Sequence, residues 1–347
     1  MRFTSRIAAP TWGSFPASKP EFKEAIMKKY IIKRILISIL VLLGVSIILY
    51  SVARAVPGDY VANLTAGNQN ITPEMEAQMR EQYGLDKGVV EGYVDWLTDA
   101  LHGNFGTSFV YQRPVTEIIK EYMGPTLALS GIALTLEVIL AIPFGIWAAR
   151  KQYSMTDYTI VAIALMGISL PSFFFASVLR IVFSIKLGWL PISGMLTARM
   201  NYQGFDLFLD YARHFILPIV VFVITGVGGM LRYVRTNMLE VLSADYVRTA
   251  RAKGLPEHKV IYKHAFRNTL IPIVTLVGGM IPALFSGAVI TEGIFSLEGL
   301  GNVALKAVYN GDIPYLMGFN MFIAVLTLLG TLVADVLYAV VDPRVRY

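Results

Sequence analysis

Six stretches of this chain are long and apolar, and charged or turn-forming residues bound them. They run about Ile35 to Val52, Thr126 to Ala149, Tyr158 to Ile185, His214 to Leu231, Ile271 to Ile290 and Met317 to Val341. A helix needs about 20 apolar residues to cross a bilayer. In hydrocarbon its backbone polar groups must be satisfied within the segment. The chain is therefore expected to be an all-α integral membrane protein with six transmembrane helices. Composition agrees, with 55% hydrophobic and 16% charged residues, where a soluble domain has about 45–50% and about 25%.

The charges between the spans assign sides. Lys28, Lys29, Lys33 and Arg34 precede the first span, Arg150 and Lys151 follow the second, and Arg344 and Arg346 follow the last. Lys and Arg mark the inner side, so both termini are expected in the cytoplasm. Residues 54–124 hold ten acidic and five basic residues, which suits an external segment. Within it Thr72-Pro73 reads as a helix start. A small cap of helices and a direct contact with substrate or a soluble partner are both open readings. Residues 1–26 are polar and show no apolar period. They are expected to be a disordered extension, and not a secretory signal, since the apolar run begins only after Arg34. The domains expected are a first transmembrane helix at 27–57, an extracytoplasmic segment at 58–124 and a transmembrane domain at 125–347.

Several chemistries are excluded. There is no cysteine, so disulfides and thiolate metal sites are ruled out. His102, His214, His258 and His264 are scattered without ligand spacing. No phosphate-binding GxxxxGK[ST] occurs, and the basic residues cluster at span ends rather than forming a nucleic-acid patch.

Within the spans, Glu137 is the most costly residue, at about 2.5–3.5 kcal/mol for a charge at the helix centre. It must face protein or water. It could line a translocation path, or it could be a packing residue. Asp335, near the inner end of the last span, poses the same choice. Pro171 interrupts the third span and is expected to kink it. Phe173, Phe174 and Phe175 follow, and at least one of them must pack away from any pore. Arg180 is expected to reach the outer surface. Pro218 is expected in the first turns of the fourth span. Pro282 lies midway along the fifth. Glu137, Pro171, Phe173, Phe174 and Pro282 are thus the candidates for a translocation path.

The segment 240–272 is the most charged stretch between two spans. It reads as two short helices joined at Gly254, with Pro256 opening the second. Leu239, Leu242, Tyr246 and Ala250 share one helical face, and Lys259, Lys263 and Arg267 share another. A basic loop that only sets orientation and a helix–Gly–helix that docks into a soluble partner both fit.

Tyr246 to Gly254, His264-Ala-Phe-Arg-Asn268 and Pro272 resemble the cytoplasmic EAA loop of ABC-transporter permeases. The likeness is to the oligopeptide/dipeptide (peptide/nickel) importer branch, first membrane subunit. Arg248-Thr249-Ala250 stand where the general pattern has Glu-Ala-Ala, as that branch tends to have. Tyr83-Gly-Leu-Asp86, Gly103-Asn-Phe-Gly-Thr-Ser108, Gly188 to Gly194, Glu292 to Gly301, Asp312-Ile-Pro314 and the ending from Tyr338 are similar to the same branch. Glu298 departs from it, standing where the family usually has proline.

The resemblance implies a type I ABC importer permease fold in a prokaryotic plasma membrane. It implies a channel-forming subunit for oligopeptides or dipeptides, not an enzyme and without a cofactor of its own. ATP and Mg would be bound by two partner ATP-binding subunits. A homologous second permease would complete the channel, and an external substrate-binding protein would deliver peptide. The coupling loop would be Asp245, Tyr246, Arg248, Thr249, Ala250, Arg251, Ala252, Lys253 and Gly254. The rival reading is an ion-coupled secondary transporter using Glu137 and Asp335. Such proteins usually carry repeated halves, and none is visible here. A membrane-embedded hydrolase would need an intramembrane Ser/His or His-rich metal cluster, and the sequence has none.

Overall fold

A computed structural model describes residues 20–55, 60–65, 72–82, 85–286 and 289–341, with side chains omitted at 20–31, 60, 63–64, 82 and 333–341. Fourteen α-helices are named here in chain order. They are α1 (Pro20–Ala55), α2 (Tyr60–Thr65), α3 (Pro73–Gln82), α4 (Val89–Leu101), α5 (Val115–Arg150), α6 (Met155–Ser169), α7 (Ser172–Leu179), α8 (Gly204–Leu242), α9 (Asp245–Ala252), α10 (Glu257–Lys259), α11 (Arg267–Met280), α12 (Val289–Phe295), α13 (Leu300–Asn310) and α14 (Ile313–Val341). Wider π turns continue α7 to Lys186 and join α10 to α11, and a 3₁₀ turn, Ile281–Leu284, ends α11. Among the described residues five helices are long and apolar enough to cross a membrane, or six if the bent pair α6–α7 is counted as one span.

α1 begins at Pro20, inside the extension expected at 1–26. Residues 1–19, 56–59, Tyr83-Gly84 and the ending from Asp342 lie outside the described residues. The segment between the first two spans holds α2, α3 and α4. Thr72 opens α3 as its sequence suggests, its hydroxyl accepting from the Met75 N–H at 3.3 Å.

Three expectations change. The third span does not kink at Pro171 but breaks, and its two halves meet at 97°. Proline drives the residue before it out of the helical region. Leu170 has ψ 131° and Pro171 ψ 130°, two extended residues in succession. The fourth span is longer than its apolar core, since α8 starts at Gly204, so Pro218 lies deep in the helix and is buried. The fifth span is continuous with the second loop helix, a run from Glu257 to Leu284.

The core has three parts. One joins α5, α6 and α8 to α9 and the start of α11 through Ile146, Met230, Val234, Met238, Val247 and Ile261. A second joins the start of α5 to α13 and α14 through Ile118, Leu300 and Tyr315. A third joins α5, α7, α8 and α12 through Leu129, Ala176, Leu217 and Phe295. Small residues bring α8 close to α6. A Cβ on Gly167 would stand 2.3 Å from the Ile224 carbonyl oxygen, and one on Gly228 2.3 Å from that of Ala164. Such small-residue contacts are a common way for membrane helices to associate.

Candidate coupling loop and buried carboxylates

α9 stands on the surface between the ends of α8 and α10. Val247 and Ala250 are its buried residues, three apart on one face. Asp245, Tyr246, Arg248, Thr249, Arg251, Ala252, Lys253 and Gly254 are exposed. Tyr246, expected on the buried face with Leu242 and Ala250, is 46% exposed. The chain leaves the helical region at Ala244 (ψ 147°), which resets the phase between α8 and α9. After Gly254, Val260, Ile261 and Ala265 are buried, His264 is partly buried and Asn268 is exposed. Lys259, Lys263 and Arg267 are all exposed, as expected.

Gly254 ends α9 with φ +72°. Its N–H donates to the Arg251 carbonyl at 2.9 Å, and the Leu255 N–H donates to that of Ala250 at 3.4 Å. These paired bonds are the common left-handed stop of a helix, and glycine adopts that backbone freely. Arg251 then closes the loop with two hydrogen bonds to Glu257, at 2.8 and 3.2 Å. Glu257 raises the Arg251 pKa above its ordinary value through that pairing. Beneath α9 a groove of about 440 Å³ is lined by Arg150, Leu239, Leu242, Arg251 and Glu257, so the end of α5 reaches the same face. We call this the loop face, and the start of α5 lies toward the far face.

The path candidates are not gathered in one place. Glu137 on α5 is buried, its carboxyl pressed against Gly226 of α8. No other described residue gives it a hydrogen bond or ion pair. Phe173 and Phe174 are exposed, whereas Phe175 packs in the core. Pro171 caps α7 at the break. Pro282 is buried against Gly330 of α14, where a Cβ would come within 2.2 Å of its Cγ. The Asp335 side chain lies outside the described residues.

Four other buried groups do structural work that sequence reasoning passed over. Asp157, at the start of α6, takes two hydrogen bonds from Arg235 of α8. Glu292 accepts from the Thr126 hydroxyl at 2.9 Å and from the Asn302 N–H at 3.0 Å, so it joins α5 to the first turn of α13. Gly299 and Gly301 make room for it: a Cβ at either would come within 2.5 or 3.0 Å of its Oε2. Asp312 accepts from the Ser108 hydroxyl at 2.5 Å and from the N–H groups of Phe109, Val110 and Tyr315 at 3.0–3.3 Å. Two motifs noticed separately, Gly103 to Ser108 and Asp312 to Pro314, are therefore halves of one joint. Asp210 likewise holds Thr197, accepting from its N–H at 2.7 Å and its hydroxyl at 2.6 Å. Arg180 is half-buried and donates to the Ile294 carbonyl at the end of α12. The Glu298 side chain is exposed, so no packing there calls for the proline it replaces.

The family described as "Binding-protein-dependent transport system inner membrane component" matches residues 141–347, and the N-terminal family of such membrane components matches residues 27–130. The chain belongs to this family. It is 39% identical over 322 residues to the oligopeptide transport system permease protein AppB of Bacillus subtilis, covering 92% of this chain and all of that one. It is 34% identical over 338 residues to the dipeptide transport system permease protein DppB of Escherichia coli, covering 92% and 99%. A solved structure of the inward-facing MetNI methionine ABC transporter matches with a TM-score of 0.52, covering 65% of this chain and 97% of that one. At 14% identity this likeness bears on the fold alone. The fold is that of type I ABC importer permeases, as expected. The chain is a membrane component of a binding-protein-dependent transport system, and nothing in these relatives favours an ion-coupled transporter built on Glu137 and Asp335.

Proposed function

We propose that this permease forms half of a membrane channel for short peptides, and that α9 couples it to ATP hydrolysis by partner subunits. In this reading a homologous permease supplies the other half. Two ATP-binding subunits take the exposed face of α9 on the cytoplasmic side, where both termini also lie, and a binding protein delivers peptide on the other. The chain holds no ATP site or cofactor and catalyses nothing itself. Residues 27–57 form the first transmembrane helix, 58–124 the extracytoplasmic segment and 125–347 the transmembrane domain with its coupling loop at 240–272. Glu137, Phe173 and Phe174 border the path, and Pro171 and Pro282 supply the helix breaks beside it.

The observation that carries this reading is the attachment of α9. Its inner face is locked into the core by Val247 and Ala250, its outer face is free, and α8 and α11 run from its two ends through the membrane. A push on α9 must therefore move two spans. The peptide names of the 34–39% identical relatives support the substrate class. The test is purification from mild detergent with an ATPase assay. Recovery of a second permease and ATPase subunits is expected, with loss of the ATPase subunits on Gly254→Trp. A chain that purifies alone and transports without them would overturn the reading.

A further inference from the structure

Helix α4 shows three faces. Gly92, Tyr93 and Trp96 turn toward α1. The Tyr50 hydroxyl lies where Gly92 has no side chain, and the Tyr93 hydroxyl shares a 2.9 Å hydrogen bond with that of Ser46. The Tyr93 ring meets Tyr50 edge-on at 5.6 Å and stacks on Trp96 at 6.4 Å. A second face carries Glu91, Asp95 and Asp99, all exposed, with Asp95 paired to Lys87 at 2.6 Å. The third carries Val90, Val94, Leu97 and Leu101, spaced as one helical stripe. Val90 is 77% and Leu101 80% exposed.

Depth along α1 identifies what covers that stripe. The apolar stretch of α1 runs about Ile35 to Val52, between Arg34 and Arg54, about 27 Å of helix against about 30 Å of hydrocarbon. Ser46 lies six residues before Val52, about 9 Å along the axis. Ser46 therefore sits within the hydrocarbon boundary. The reach of a tyrosine side chain then puts the axis of α4 at that boundary. Arg54, beyond the apolar stretch, donates to the carbonyls of Leu85 and Lys87 and ties the entry to α4 to the end of α1. Beside these contacts α1 exposes Ile47, Ile48 and Val52. Tyr50, Tyr93 and Trp96 are residue types that gather where hydrocarbon meets headgroups. An acidic face and an apolar face on one short helix at this depth describe a helix lying in the interface.

We propose that α4 is an interfacial helix, with Val90, Val94 and Leu101 immersed in the acyl chains of the leaflet on the far face. It anchors the segment between the first two spans to the bilayer surface. The lipid, rather than a docked protein, completes the burial of this stripe.

The chain lacks cysteine, so single labels report without background. Val94→Cys, Leu101→Cys and Asp99→Cys are each labelled with a nitroxide in the full-length chain, with the subunits that co-purify, in phospholipid nanodiscs. Collision with oxygen, which partitions into lipid, is compared with collision with a water-soluble nickel chelate. The ratio of oxygen to nickel collisions should be several-fold higher at 94 and 101 than at 99. Equal ratios at all three would make the stripe aqueous and overturn the proposal. Low collision with both reagents at 94 and 101 would mean a protein partner covers it, which also overturns the proposal. All three positions are exposed, so the substitutions spare the core; Val90→Cys replaces any variant that fails to elute as a single species.

Discussion

Arg235 grips Asp157 with two parallel hydrogen bonds of 2.7 Å each, from Nε to Oδ1 and from Nη2 to Oδ2. The carboxylate also accepts from the Tyr153 N–H at 3.0 Å and is almost wholly buried. The pair fastens the turn between α5 and α6 to α8, two turns before α8 hands over to α9.

Removing one partner of such a pair strands the other. Arg235→Ala is expected to destabilise the protein by about 3 kcal/mol, the lower end of the range for a broken buried pair. Arg235→Lys should lose less stability but still weaken the pair, since a lysine cannot reproduce the two-pronged grip. Thermal unfolding followed by size-exclusion fluorescence in detergent measures both. Equal melting temperatures for wild type and Arg235→Ala would show the pair to be dispensable.

Asp312 is the acceptor for four donors, three of them backbone N–H groups. Asp312→Ala leaves those donors buried without a partner, at about 1–3 kcal/mol for each group left unsatisfied. The variant should give little folded protein. Asp312→Asn, which keeps one of the two acceptor oxygens, should retain more. Folded yield from matched membranes is the readout, and equal yields for the two variants would argue against the hydrogen-bonded joint.

The stop at Gly254 separates backbone demand from docking demand. A Cβ there would meet nothing within 4 Å, but φ is +72°. Gly254→Ala should cost about 1–2 kcal/mol of left-handed strain and retain uptake. Gly254→Asn should cost less, since asparagine tolerates this region. Gly254→Trp should insert into the membrane and abolish uptake, because its bulk projects from the surface that α9 offers. Uptake by reconstituted vesicles, alongside insertion level, distinguishes the three. Normal uptake by a well-inserted Gly254→Trp would remove the coupling role from this turn.

Glu137 and Gly226 are in direct opposition, with a Cβ on Gly226 placed 2.2 Å from the Glu137 Oε1. The carboxyl is the free end of a flexible side chain, so Gly226→Ala should displace it rather than unfold the protein. Glu137→Gln and Gly226→Ala should then change transport in the same direction, with cationic peptides losing more than neutral ones. A peptide-selectivity profile measured in competition decides this. If neither variant alters the ratio of cationic to neutral uptake, Glu137 is a packing residue.

Much of this molecule is written in local pattern. Length and apolarity mark the six spans, because hydrocarbon leaves a backbone no option but the helix. Thr72-Pro73 announces α3, and Gly254 followed by Pro256 marks a helix stop and restart. Those are properties of a few neighbouring residues. The tertiary structure decided what neighbours cannot. Helical spacing put Tyr246 with Ala250, but one extended residue at Ala244 rotated α9 so that Val247 went inside. Pro171 signalled an interruption, yet the 97° turn came from two extended residues in sequence, with α7 packed on α8 and α12. Ser108 and Asp312 are 204 residues apart, and Asp157 and Arg235 are 78 apart. A carboxylate's cost in an apolar setting can be read from its surroundings in the chain. Its partner cannot, because that partner is chosen by which helices the packing brings side by side.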